Sequence, residues 1–175
     1  MARRHIAMKL MVAAAVVLPF VVADGAAFAR EVVQAPDAGY RPGTIVIRTG
    51  ERRLYLVTAP GEAIRYTVAV GKAGKQWRGV KYVEEMQVDP AWSPPASVKR
   101  DNPRLPDVIP GGSPRNPMGA RVIGLGPGGE YAIHGTNMPG TIGTAASYGC
   151  FRMHNQDVAD LYARVRMGTP VVVLP

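Results

Sequence analysis

Cys150 is the only cysteine of the chain, and the stretch around it, AIHGTNMPGTIGTAASYGCFRMHN at 132–155, also holds His134 and His154, two of the three histidines. A thiol attacks as its thiolate, and an imidazole, a nearby cation or turn backbone N–H groups are the usual means of removing its proton. His134 lies upstream, Arg152 two positions downstream, and Ser147-Tyr148-Gly149 makes a tight approach to the thiol. Gly149 has no side chain, so a substrate carbonyl can reach the backbone N–H groups around Tyr148 to Cys150, where an oxyanion needs donors. The chemistry this set predicts is acyl transfer through a thioester.

Each of these residues has a plainer reading. A lone cysteine is commonly a small buried hydrophobe or a site of intermolecular pairing, a histidine at a strand end is commonly structural, and Arg152 fits a surface charge. Polar, glycine-rich surroundings are poor material for burying an inert thiol, yet residue chemistry alone leaves both the inert cysteine and a Cys/His nucleophile standing. Of the two histidines near the thiol, His134 sits at a strand end and can aim from another element, whereas His154 precedes a helix start and faces solvent. No acidic partner stands near His134, so a backbone carbonyl such as that of Gly135 is the candidate to orient the ring. One Cys and two separated His lack zinc-ligand spacing, so neither metal nor cofactor is expected.

The elements that must position these residues are mainly strands. GTIVIRTGERRLYLVTAPGEAIRYTVAVG predicts three antiparallel strands over 43–48, 52–58 and 63–70, with turns at Thr49-Gly50-Glu51 and Ala59-Pro60-Gly61. A further strand is expected over 80–88, then short strands in ARVIGLG and YAIHG, the second ending at His134. Eight prolines between Pro90 and Pro117 argue against a helix interior or central strand there. So long an irregular loop is commonly functional, and Trp92 with the segment 102–117 is a candidate wall or lid. Asn155 is read as N-cap of a helix whose Val158, Leu161, Tyr162 and Val165 share one face, with Gly168 as its stop and TPVVVLP as a last strand.

A chain of 175 residues with 47% hydrophobic content predicts one folded domain. Residues 1–29 read as a cleaved signal peptide: Arg3, Arg4 and Lys9 precede an apolar run from Leu10 to Ala23, and Ala27-Phe28-Ala29 is a small-x-small site. That run of about 14 residues is shorter than the ~20 of a spanning helix, so no stable membrane span is expected. Export is expected to leave a flexible lead over 30–41 and a domain over 42–175. Losing three basic residues and Asp24 with the leader takes the formal charge from +8 to +6. The Lys and Arg are scattered, which suits a polyanionic neighbourhood and not a nucleic-acid groove.

YAIHGTN, S-x-G-C-x-R-M-x-N at 147–155, VIPGGSPRNPMGARVIGLG and GTPVVVL together resemble the YkuD-type L,D-transpeptidase catalytic domain, over most of 42–174. The resemblance implies a mostly β, sandwich-like fold with one main helix after the cysteine. It implies a periplasmic enzyme of peptidoglycan biosynthesis, cell wall organisation and cell shape. In enzymes of this family the thiolate attacks the third residue of a tetrapeptide stem, releases D-alanine and passes the acyl group to an amine, and the resemblance implies the same here. The implied acceptors are another stem, giving a 3–3 cross-link, a free D-amino acid, or an outer-membrane protein. Carried over, Cys150 matches the nucleophile, His134 the base and Gly135 its orienting carbonyl; Tyr148, Gly149 and Ser147 fill oxyanion or substrate-binding positions, and Arg152 binds a substrate carboxylate or braces the loop. Tyr148 departs from the family, which commonly has His there. A sortase-like Cys transpeptidase and a non-catalytic peptidoglycan-binding module are the alternatives.

Overall fold

The computed structural model describes residues 30–37 and 39–175; the expected signal peptide over 1–29 lies outside the described residues. The lead over 30–41, expected to be a flexible tether, contains strand β1 (Glu31–Gln34), which pairs antiparallel with β4 (Glu62–Thr67). The reason is visible in β2 (Ile45–Arg48) and β3 (Arg53–Ala59), whose apolar residues run consecutively, the pattern of strands covered on both faces. One face sends Ile45, Ile47, Leu54 and Leu56 into the main core. The other carries Val46, Tyr55 and Val57, and the lead covers it with Val33, Ala35 and Tyr40. At the start of the lead, Arg30 pairs with the buried carboxylate of Asp157 at 3.3 Å.

β2, β3 and β4 form the expected antiparallel meander. The third expected strand divides, because the chain leaves β4 and forms a short β5 (Val70–Gly71) that pairs with β9 (Ala145–Ser147). The long β6 (Gly79–Val88), then β7 (Arg121–Leu125), β8 (Tyr131–His134), β10 (Phe151–Arg152) and β11 (Pro170–Leu174) complete the main sheet, in the order β1-β4-β3-β2-β11-β6-β7-β8-β10. At its far end Arg152 bridges back to Ala69, just after β4, through backbone hydrogen bonds of 2.9 and 3.0 Å. The sheet therefore curls around a single core to which β2, β3, β6, β7, β8, β10 and β11 all contribute. This is the mostly β, sandwich-like arrangement expected.

Two α-helices occur among the described residues. α1 (Ala96–Asp101) lies inside the proline-rich segment, where none was expected. It starts directly after Pro94-Pro95 and stops at Asn102 before Pro103, so no ring interrupts a helical hydrogen bond. α2 (Asn155–Arg164) buries Val158 and Leu161 as expected, but its N-cap is His154, and Asn155 is the first helical residue. The side chain of Asn155 is used elsewhere.

Candidate active site

β8 and β10 run parallel and side by side, with Ile133 opposite Phe151 and His134 opposite Arg152. Side chains alternate along a strand. Ile133 and Phe151 point into the core, so Ala132, His134, Cys150 and Arg152 share the other face. There Cys150, His134 and Arg152 line one cleft of about 160 Å³, walled by Trp92, Val98 and Pro117. That volume admits the reacting part of a peptide and not a whole one. Trp92 and Pro117 belong to the segment read as a candidate wall, and the rest of that wall is α1.

His134 is buried, and its Nδ1 lies 2.7 Å from the carbonyl oxygen of Gly135. A carbonyl only accepts, so Nδ1 carries the proton and the Nε2 lone pair is left to act as base. Burial holds the imidazole down at about 4, reinforced by the charge of Arg152 and opposed by the carbonyls of Gly135 and Pro117. Burial likewise pushes the Cys150 thiol up, against a backbone hydrogen bond at Ala132 and the Arg152 charge. The resting pair is therefore neutral thiol and neutral imidazole, and the proton has to move as the nucleophile attacks.

The depressed imidazole has a consequence for stability. As pH falls, the unfolded chain takes up the His134 proton first, at the ordinary value of 6.5, while the folded protein resists until about 4. The contribution is complete above 6.5 and drains away between 6.5 and 4, by on the order of 3 kcal/mol. Urea unfolding at neutral pH and near pH 4 is expected to show that loss in the wild type and a smaller one in His134→Gln.

The loop before the thiol is braced from inside. Ser147 Oγ donates to the Cys150 carbonyl at 2.6 Å and accepts from the Gly149 N–H at 3.1 Å. This corrects one expectation: the Gly149 N–H is not open to an oxyanion, and the N–H groups of Tyr148 and Cys150, which have no partner among the described residues, are the ones available. Gly149 is required for a different reason. Its φ is +124°, and a Cβ there would lie 2.7 Å from Tyr131 Cε1. Its carbonyl accepts from Trp77 Nε1 at 3.0 Å, and Trp77 stacks on Tyr131 at 4.7 Å.

Arg152 is half-buried, and its only side-chain hydrogen bond among the described residues is a long one of 3.5 Å to Thr141 Oγ1. No carboxylate among the described residues pairs with it. A guanidinium in a cleft without an anion of its own is suited to a ligand carboxylate.

Residues 42–173 match the sequence model of the YkuD family, described as the L,D-transpeptidase catalytic domain. The chain belongs to this family. A probable L,D-transpeptidase of Salmonella typhimurium, ErfK/SrfK, is 37% identical over 139 residues, which cover 74% of the chain and 43% of the relative. The chain thus spans less than half the length of such curated relatives. An L,D-transpeptidase structure from Mycobacterium smegmatis shares the fold at TM-score 0.59 and 17% identity, over 75% of the chain and 58% of that structure. A Brucella melitensis structure, named a probable carnitine operon oxidoreductase, is 43% identical at TM-score 0.55, over 85% of the chain and 94% of its own. The chain does contain a G-x-G-x-x-G string at Gly124, Gly126 and Gly129. It forms the turn of the β7–β8 antiparallel hairpin, whereas a dinucleotide fingerprint leads from a strand into a helix.

One positioning residue escaped the sequence reading. Asn155 Oδ1 accepts from the backbone N–H groups of Ala120 at 3.2 Å and Thr136 at 3.0 Å, and Nδ2 donates to the Thr136 carbonyl at 3.1 Å. A Cβ on Gly135 or Gly119 would overlap that oxygen. Asn155 therefore pins the turn that presents the Gly135 carbonyl to His134. Asn155→Ala is expected to cost about 1–2 kcal/mol in stability and to lower the rate at Cys150 without changing which residue is modified. Thermal unfolding and a single-turnover assay check the two parts.

Proposed function

We propose that residues 42–175 catalyse L,D-transpeptidation on peptidoglycan stems, with Cys150 as nucleophile and His134 as general base. The observation that carries the reading is the unpaired guanidinium of Arg152 in the same cleft as the thiol and the buried imidazole. The bond to be broken in a tetrapeptide stem is followed by a D-alanine whose free carboxylate lies within one residue of the scissile carbonyl, the anion such a guanidinium fits.

The sequence of steps follows from the protonation states. Nε2 of His134 takes the thiol proton as Sγ bonds to the carbonyl carbon of the third residue, and the oxyanion is met by the N–H groups of Tyr148 and Cys150. The C–N bond then breaks, His134 gives its proton to the departing D-alanine amine, and a thioester remains. An acceptor amine attacks that thioester, a C–N bond replaces the C–S bond, and the amine proton returns through His134 to the sulfur. Gly135 holds the ring in the tautomer that does this; Ser147 and Gly149 hold the loop.

The leader over 1–29 would deliver the enzyme to the periplasm, where cross-linking of stems, D-amino acid exchange and attachment of an outer-membrane protein are all amine transfers that organise the wall and set cell shape. No helix among the described residues is long and apolar enough to cross a membrane. The test is release of D-alanine from a diaminopimelate-containing tetrapeptide, with each acceptor class supplied in turn. D-alanine release with an acyl–amine product supports the reading. Cleavage of a sorting peptide in its place would favour a sortase-like enzyme, and stem binding without release a binding module.

A further inference from the structure

Tyr148 stands where the family commonly has histidine, and its surroundings point to a role of its own. Its hydroxyl donates to Asp101 Oδ2, at the C-terminal end of α1. Lys72 Nζ lies 3.9 Å from the centre of the Tyr148 ring and 4.0 Å from the same Asp101 oxygen. Lys72 is itself fixed to the nucleophile loop, because its backbone N–H donates to the Ser147 carbonyl at 2.9 Å. α1, by contrast, has no buried residue. Its other side-chain hydrogen bonds, from Lys99 to Leu105 and Asp107, remain within the proline-rich segment. The polar tie between α1 and the nucleophile loop thus runs through Asp101.

This tie lies between two openings. The cleft with Cys150, His134 and Arg152 is bounded by Pro95 and Tyr148. The same two residues bound a second, larger groove of about 600 Å³, lined further by Lys75, Glu130 and Tyr131. That groove lies along the nucleophile loop, where the Tyr131 ring occupies the space beside Gly149.

We propose that Tyr148, bonded to Asp101 beneath Lys72, is a positioning residue that straps α1 across the mouth of the site and closes the Cys150 cleft off from the neighbouring groove and its water. The inference rests on the transpeptidase reading for its chemistry. With the strap closed, the thioester is kept for an acceptor amine: its carbonyl carbon exchanges sulfur for nitrogen and the amine proton returns to the thiolate. With the strap open, the two clefts merge and water competes: the C–S bond gives way to a C–O bond, releasing a carboxylic acid and the free thiol.

Two readouts on Tyr148→Phe, Asp101→Ala and the double variant test this. The first is the rate at which iodoacetamide alkylates Cys150, the only thiol. The second is the ratio of amine-transfer product to hydrolysis product from a tetrapeptide stem with a D-amino acid acceptor. Each single variant is expected to speed alkylation and to lower the ratio by roughly three- to ten-fold, the scale of one lost solvent-exposed hydrogen bond. The double variant should match either single one, because both remove the same contact. Unchanged alkylation with an unchanged ratio, or effects that add, would overturn the strap. Faster alkylation in variants of a protein that no stem acylates would overturn the transpeptidase reading and leave the strap standing.

Discussion

Cys150→Ala is expected to lose acyl transfer by about four orders of magnitude or more while remaining folded. No second thiol exists in the chain to take over, and His134, with its lone pair in a buried pocket, can at most direct a water at the bound carbonyl. The fold should survive because Cys150 lines a cleft and is partly exposed as a residue, so loss of its one sulfur atom widens that cleft and leaves no sealed cavity. A loss below about 1 kcal/mol in stability is the expectation for such a change. Steady-state release of D-alanine beside urea unfolding measures both. A variant that keeps the wild-type rate would return Cys150 to the class of inert thiols.

The second large effect is at His134. His134→Gln is expected to lower the rate of Cys150 acylation by about 10²–10⁴-fold, since the amide side chain cannot take a proton. The size of the loss depends on the thiol. Burial keeps Cys150 protonated, so without a base the reactive thiolate has to come from hydroxide. The variant's rate should therefore climb about ten-fold per pH unit through the neutral range. The wild type, whose imidazole stays unprotonated down to about 4, should be flat from about pH 5 to 8. Single-turnover acylation across that range separates the two profiles. Parallel profiles would mean that His134 does not take the proton.

Cys150 and His134 stood out because few residue types do this chemistry, and the strand ending at His134 was readable from YAIHG. The meander of β2, β3 and β4 followed from turn residues and β-branched runs. What the sequence concealed was held by contacts between distant segments. Asn155 looked like an N-cap because that is its usual local role, but its partners lie at Ala120 and Thr136. The lead over 30–41 looked like a tether, although the consecutive apolar residues of β2 and β3 already signalled a second face needing cover. α1 hid behind its prolines, which flank the helix and leave its interior free. The Gly149 N–H seemed open because Ser147, two residues away, was read as substrate-binding, whereas its hydroxyl occupies that donor.

The most direct measurement is intact-protein mass spectrometry of the reduced protein mixed with a diaminopimelate-containing tetrapeptide stem, beside Cys150→Ala. The account predicts a gain equal to the stem less D-alanine, located on Cys150 and lost when an acceptor amine is added, with no gain in the variant. A folded wild-type protein whose thiol titrates normally, yet which forms neither adduct nor product with the stem, would contradict it.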